Sequence, residues 1–170
     1  MRIAQVAPPL ETVPPAAYGG TERVAHTITE ELFRRGHEVT LFAAGGSSTS
    51  ARLVVTCEPA AWHRQPPMRD LMPTWSLALG KLLREADRFD VVHSHLDWFG
   101  FPFARYARVP VVTTLHGRLD LPEIRETLCE FTEVPLVSIS NSQRRPVGRT
   151  SSVVSRPALW PRPTSASTSR

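Results

Sequence analysis

The chain has 170 residues, 41% of them hydrophobic and 21% charged, which suits one folded domain and is too short for two full α/β domains. No apolar run reaches the roughly 18 residues of a membrane span, so no transmembrane segment is expected. Six of the 20 basic residues lie between Arg144 and Arg170, where there is no acid, leaving 14 basic against 16 acidic residues and a net charge of −2 for residues 1–143. The body therefore gives no electrostatic ground for nucleic-acid binding.

Arg2 to Ala7 reads as a short buried strand, and a Pro-rich loop from Pro8 to Ala17 follows it. Thr21 can cap a helix running to about Arg35, with Val24, Ile28 and Leu32 on one face and Gly36 as its stop. Glu38 to Ala43 and Arg52 to Thr56 read as strands. A helix is expected from about Leu71 to Arg88, a strand from Asp90 to His93, and a shorter helix from about Phe99 to Tyr106. Pro110 to Leu115 is the next strand, Leu121 to Phe131 a helix, and Leu136 to Ser140 the last strand. The strands are continuous apolar runs, as a parallel sheet covered on both faces requires. The predicted fold class is α/β, a doubly wound Rossmann-like sheet of about six strands.

That domain is expected to span residues 1–146. Residues 147–170 form an Arg/Pro/Ser-rich tail. Arg, Ser, Pro and Thr make up 19 of the 27 residues from Arg144 onward, so no periodic apolar face survives and disorder is expected. With 19 Arg against one Lys, the chain has the bias of a GC-rich gene, and the tail reads as a frameshifted or aberrant end. The alternative is a natural basic tail with an acidic partner. The strand starting at Arg2 argues against a secretory signal and for a cytoplasmic chain, with a peripheral place on the inner face of the membrane also compatible. Cys57 and Cys129 match neither a disulfide framework nor a zinc knuckle and read as two partly buried thiols.

Chemistry in such a sheet collects at the carboxyl ends of the strands. After the first strand come Tyr18, Gly19, Gly20 and Thr21, a glycine pair opening a helix whose N–H groups can meet a diphosphate. A plain turn before a helix explains the pair equally well. No G-x-G-x-x-G is present, and the second strand ends in Ala43-Ala44-Gly45 without an acid for a ribose, which argues against a dinucleotide enzyme. After the fourth strand, His93, His95 and Asp97 form H-x-H-x-D, a pattern shared with zinc hydrolases. Trp98 stands where that pattern has a further His, so His95 and Asp97 read instead as lining a polar cleft, with no metal expected. After the fifth strand, His116, Gly117 and Arg118 are placed to project into the same cleft, His116 as a hydrogen-bond donor to a sugar hydroxyl or an aid to charge development. Ser142 and Arg144 follow the sixth strand, where another helix would start.

Four segments, YGGTERVAHTITEELFRRGHEVTLFA, DVVHSHLDWFGFPFA, VPVVTTLHGRLDLP and PLVSISNSQRRP, together closely resemble the N-terminal domain of family 4 retaining glycosyltransferases, of GT-B type. The resemblance covers about residues 1–146. It implies one half of a two-lobed enzyme with the active site between the lobes, this half binding mainly the acceptor. It puts Gly19, Gly20 and Thr21 near the donor diphosphate and His116 as the catalytic cleft histidine beside the transferred sugar. Tyr18, His95, Asp97, Gly117, Arg118, Ser142 and Arg144 would line the acceptor side. The implied partners are a nucleotide-sugar, which is a substrate and not a cofactor, and a carbohydrate or lipid-linked acceptor. No E-x7-E segment of the family's donor-binding domain follows the last strand, so little or no hexosyl transfer is expected of these residues alone. A freestanding sugar- or nucleotide-binding module, a zinc hydrolase using His93, His95 and Asp97, and a nucleic-acid binder acting through the tail are the alternatives, in that order.

Overall fold

A computed structural model describes residues 1–147 and 153–155. The strands are β1 (Arg2–Val6), β2 (Glu38–Ala43), β3 (Arg52–Val55), β4 (Val91–Ser94), β5 (Val111–Leu115), β6 (Leu136–Ser138) and β7 (Val153–Ser155). The helices are α1 (Gly20–Arg34), α2 (Met72–Glu85), α3 (Phe101–Tyr106), α4 (Pro122–Glu130) and α5 (Asn141–Arg144). Every strand pair is parallel, and the order across the sheet is β3-β2-β1-β4-β5-β6-β7. Six of these strands and the helices between them stand where the hydrophobic runs place them. Most of the tail expected to be disordered lies outside the described residues; within it, Val153–Ser155 pairs with β6 as the seventh strand.

The two faces of the sheet bury different side chains, because alternate residues of a strand point to opposite sides. On one face Ala4 and Val6 of β1, Phe42 of β2, Val92 of β4 and Val111 of β5 pack with Leu82 of α2 and Phe103 of α3. Phe42 and Phe89 meet edge to face, ring centres 5.9 Å apart, a favoured aromatic arrangement. A second cluster around Phe101, Leu115, Leu128 and Leu136 seats α4. On the other face Ala7, Leu41 and Ala43 pack with Ala25 of α1.

The deepest positions of α1 are Glu22, Ala25 and Thr29, not the Val24, Ile28 and Leu32 stripe, which is half-buried at its side. Small side chains let the helix lie close to the sheet, and Thr29 hides its hydroxyl by donating to the Ala25 carbonyl at 2.7 Å. The long helix expected to reach Arg88 ends at Glu85 and tightens into a 3-10 turn over Ala86–Arg88. The thiols also differ from expectation. Cys57 is buried, its Sγ 3.2 Å from the Pro9 carbonyl, whereas Cys129 is exposed.

Phe42 is fully buried at the middle of the larger cluster. Phe42→Ala is expected to cost about 3–5 kcal/mol in urea unfolding, while Tyr106→Ala, at an exposed position, should stay within about 0.5 kcal/mol. Equal midpoints for the two variants would contradict this assignment of the core.

Candidate functional site

The strand order reverses beside β1, whose neighbours are β2 on one edge and β4 on the other. Connections leave in opposite directions there, and a crevice opens at the carboxyl ends. Gln5 of β1 faces His93 of β4 in register, and His95 and His116 follow the ends of β4 and β5 at the same edge of the sheet. Gln5 shares its face with Ala7, so the polar side chains gather on the α1 side of the sheet.

A line of side-chain contacts crosses three strands there. His116 Nε2 lies 2.9 Å from His95 Nδ1, and His95 Nε2 lies 3.1 Å from Gln5 Oε1. Gln5 Nε2 lies 3.2 Å from His93 Nδ1, and His93 Nε2 lies 2.7 Å from Thr114 Oγ1. Gln5 and His95 are buried, while His93 and His116 keep slight access. Burial disfavours the imidazolium form. It pushes His93 down to about 4, helped by the nearby His116, and His116 down to about 4. His95, between the other two rings, is driven well below the ordinary histidine value by burial first and by its neighbours second. The three rings are therefore neutral at pH 7.

Asp97 fixes the chain around His116 from the other side. Its backbone has φ 47°, a left-handed conformation that Asp tolerates better than most residues. That turn brings Oδ1 to 2.6 Å from the backbone N–H of His116, which donates to it. Burial raises the Asp97 carboxyl, and the N–H groups of His116 and Gly117 oppose the shift. Gln143 of α5 adds a further anchor: its Nε2 donates to the carbonyls of Leu115 and Gly117 at 2.9 and 2.8 Å. Ser140 caps that short helix by accepting from the Gln143 N–H at 3.0 Å.

The start of α1 lies on the same carboxyl edge. Gly19 holds φ 144°, and a Cβ there would come within 2.8 Å of the Pro15 ring, so the position requires glycine. The first helical bond runs from Arg23 N–H to the Gly19 carbonyl at 3.1 Å, which leaves the Gly20 and Thr21 N–H groups at the positive end of the helix. Glu22 is buried in that first turn, and burial raises its carboxyl, with Glu11 adding to the shift.

Among the predicted site residues, the fold joins His93, His95, Asp97, His116 and Gly117 in one contact network. Asp97, Gly117 and Arg118 border a small hollow walled by Trp98, Leu121 and Ile124. The Arg118 side chain is mostly exposed and pairs with Asp120 at 2.6 Å. Ser142 is exposed and Arg144 half-buried on α5, and Tyr18 is 81% exposed. Among the described residues no hydrogen bond links Tyr18, Gly19, Gly20 or Thr21 to the histidines. No three His, Cys, Asp or Glu side chains among the described residues are placed to hold a metal ion. Gln5, Thr114 and Gln143 were not anticipated. A glutamine inside an otherwise apolar strand was the one available signal for Gln5.

Three imidazoles with lowered pKa values tie stability to pH. The unfolded chain, with histidines near 6.5, binds more protons than the folded one between about pH 4 and 6.5, so stability rises with pH across that window. The contribution is complete above pH 6.5 and is lost as pH falls toward 4; Asp97 and Glu22, with raised carboxyls, offset part of the loss at its lower end. Urea midpoints taken from pH 7.5 to 4.5 should drop by the equivalent of a few kcal/mol. In His116→Gln the slope should shrink by up to one proton. A flat profile would contradict the neutral cluster.

No curated protein matches the sequence. Solved structures do. Sucrose-phosphate synthase from Thermosynechococcus elongatus superposes with a TM-score of 0.65 at 14% identity, over 92% of this chain and 47% of that one. AviGT4, a glycosyltransferase involved in avilamycin A biosynthesis, gives 0.53 at 25% identity, over 87% and 39%. MurG of Acinetobacter baumannii gives 0.51 at 12% identity, over 84% and 42%. The chain thus spans less than half the length of these proteins, and the likeness is one of fold. Among the described residues no helix is long and apolar enough to cross a membrane. The model of Glycosyltransferase Family 4 matches residues 18–156, from the glycine pair through β5 and its histidine to β7, and the chain belongs to that family.

Proposed function

We propose that this lobe takes part in moving a sugar from a nucleotide-sugar to a carbohydrate or lipid-linked acceptor. In this reading a second lobe holds most of the donor, and this one supplies the acceptor side of the cleft. The observation that carries the reading is His116. Its Nε2 edge is held by His95 and its backbone by Asp97, while among the described residues its Nδ1 has no hydrogen-bond partner. A fixed imidazole with one free nitrogen at the carboxyl end of a parallel sheet is placed to meet a sugar hydroxyl. Because the ring is neutral at pH 7, it acts through a hydrogen bond and not as a cation.

The leaving diphosphate needs its negative charge stabilised. Gly20 and Thr21 N–H groups and the α1 dipole would supply this at Gly19–Thr21. The buried Glu22 carboxyl beside that loop favours its protonated form when a diphosphate binds, since two adjacent anions repel. Asp97, Gly117, Arg118 and the hollow they border would receive the acceptor, with Tyr18, His95, Ser142 and Arg144 around the cleft. The hexosyl class of the transferred group is part of the same proposal.

Assayed together with the donor-binding lobe, His116→Ala should lower kcat by about 100-fold with little change in KM. A kcat within about twofold of the unaltered protein would remove His116 from this role. Gly19→Ala, which forces a clash with Pro15, should weaken nucleotide-sugar binding by at least about tenfold in a titration, and unchanged affinity would move the diphosphate elsewhere. The 170-residue polypeptide by itself should turn over common nucleotide-sugars at a negligible rate, because alignment of donor and exclusion of water need both walls of the cleft.

A further inference from the structure

We propose that Gln5 is a positioning residue that, through His95, decides which nitrogen of His116 carries the proton and so presents His116 Nδ1 to the cleft as a hydrogen-bond acceptor. The inference rests on the reading of His116 as the cleft histidine. It concerns a residue on a different strand, 111 positions earlier in the chain.

A carboxamide has one accepting end and one donating end. Gln5 turns its oxygen to His95 Nε2 at 3.1 Å and its nitrogen to His93 Nδ1 at 3.2 Å. The two rings must therefore play opposite parts at the amide. A neutral imidazole carries a single N–H. His95 spends it on the Gln5 oxygen, so its Nδ1 is bare. The contact of 2.9 Å with His116 then requires His116 to donate from Nε2, which leaves a lone pair on His116 Nδ1. On the other branch His93 accepts at Nδ1 and donates from Nε2 to the Thr114 hydroxyl at 2.7 Å. Thr114 closes the line because a hydroxyl accepts or donates equally well.

All four bonds thus run in one direction, from His116 to Thr114. Rotating the Gln5 amide by half a turn would reverse every one and put an N–H at His116 Nδ1. Gln5 is fully buried, as is His95 to within 1%, so solvent does not compete for the amide's two ends. The orientation of one amide in the middle of β1 therefore sets the polarity of a group that the cleft sees two strands away.

The test is made on the full chain labelled with nitrogen-15 in histidine, by long-range proton–nitrogen correlation spectra at pH 7.5 without substrate. The unaltered protein should show His116, His95 and His93 each as a single Nε2–H tautomer. In Gln5→Met the amide is gone, and a buried N–H left without a partner is less tolerable than a bare lone pair. His95 should then move its proton to Nδ1, donate to His116, and drive a several-fold rise in the Nδ1–H form of His116. A folded Gln5→Met with His116 still wholly Nε2–H overturns the proposal. Where that variant does not fold, the unaltered chain decides: a proton on His95 Nδ1 or His116 Nδ1 overturns it, and Nε2–H on both supports it. Because no turnover or ligand binding is measured, failure here is separate from failure of the transferase reading, which appears in the kinetics of His116→Ala and the titration of Gly19→Ala.

Discussion

Strand β1 is hydrogen-bonded along both edges, to β2 and to β4, and the order of the sheet reverses around it. Much of the architecture follows from this placement. Strands on both edges and helices on both faces bury β1: one face takes α1 and the other takes α2 and α3. Connections diverging from its carboxyl end leave a crevice that no side chain of a single strand could build. The start of α1 and the ends of β4 and β5 all open onto that edge.

A central strand is a costly place for a polar side chain unless each of its groups is paired. Gln5 meets that condition through His93 and His95. The satisfied line has a mechanical consequence: every ring in it is held by its neighbour, and the last ring, His116, is held at Nε2 while its Nδ1 has no hydrogen-bond partner among the described residues. Asp97 and Gln143 then brace the backbone that carries it. The left-handed turn at Asp97 is the local strain that this bracing sustains.

The two ends of the crevice differ in electrostatic character. At α1, the Gly20 and Thr21 N–H groups, without hydrogen-bond partners among the described residues, and the helix dipole favour negative charge, moderated by the buried Glu22. At the histidines, burial keeps every ring neutral, so that side offers directed hydrogen bonds without net charge. In the function proposed above, a departing diphosphate and a sugar hydroxyl would make these two separate demands.

The local elements were legible because their causes are local. Continuous apolar runs mark β1, β2 and β5, and Gly36 takes the left-handed φ of 80° that ends α1. The sequence places His95, Asp97 and His116 at the carboxyl edge of the sheet because each follows the end of a strand. The same reading misjudged α1, whose buried stripe runs through Ala25 and Thr29, since close approach to a sheet selects small side chains over large ones. H-x-H-x-D reads from the sequence as a cleft lining and not as a metal site, but the pattern does not record that Asp97 turns to bind the backbone of His116. Gln5 lies 88 residues from His93 and 90 from His95. Only the pairing of β1 with β4 brings them together, and neighbours across a parallel sheet are set by which strands associate, a choice made by the packing of the whole domain and by no spacing within the chain.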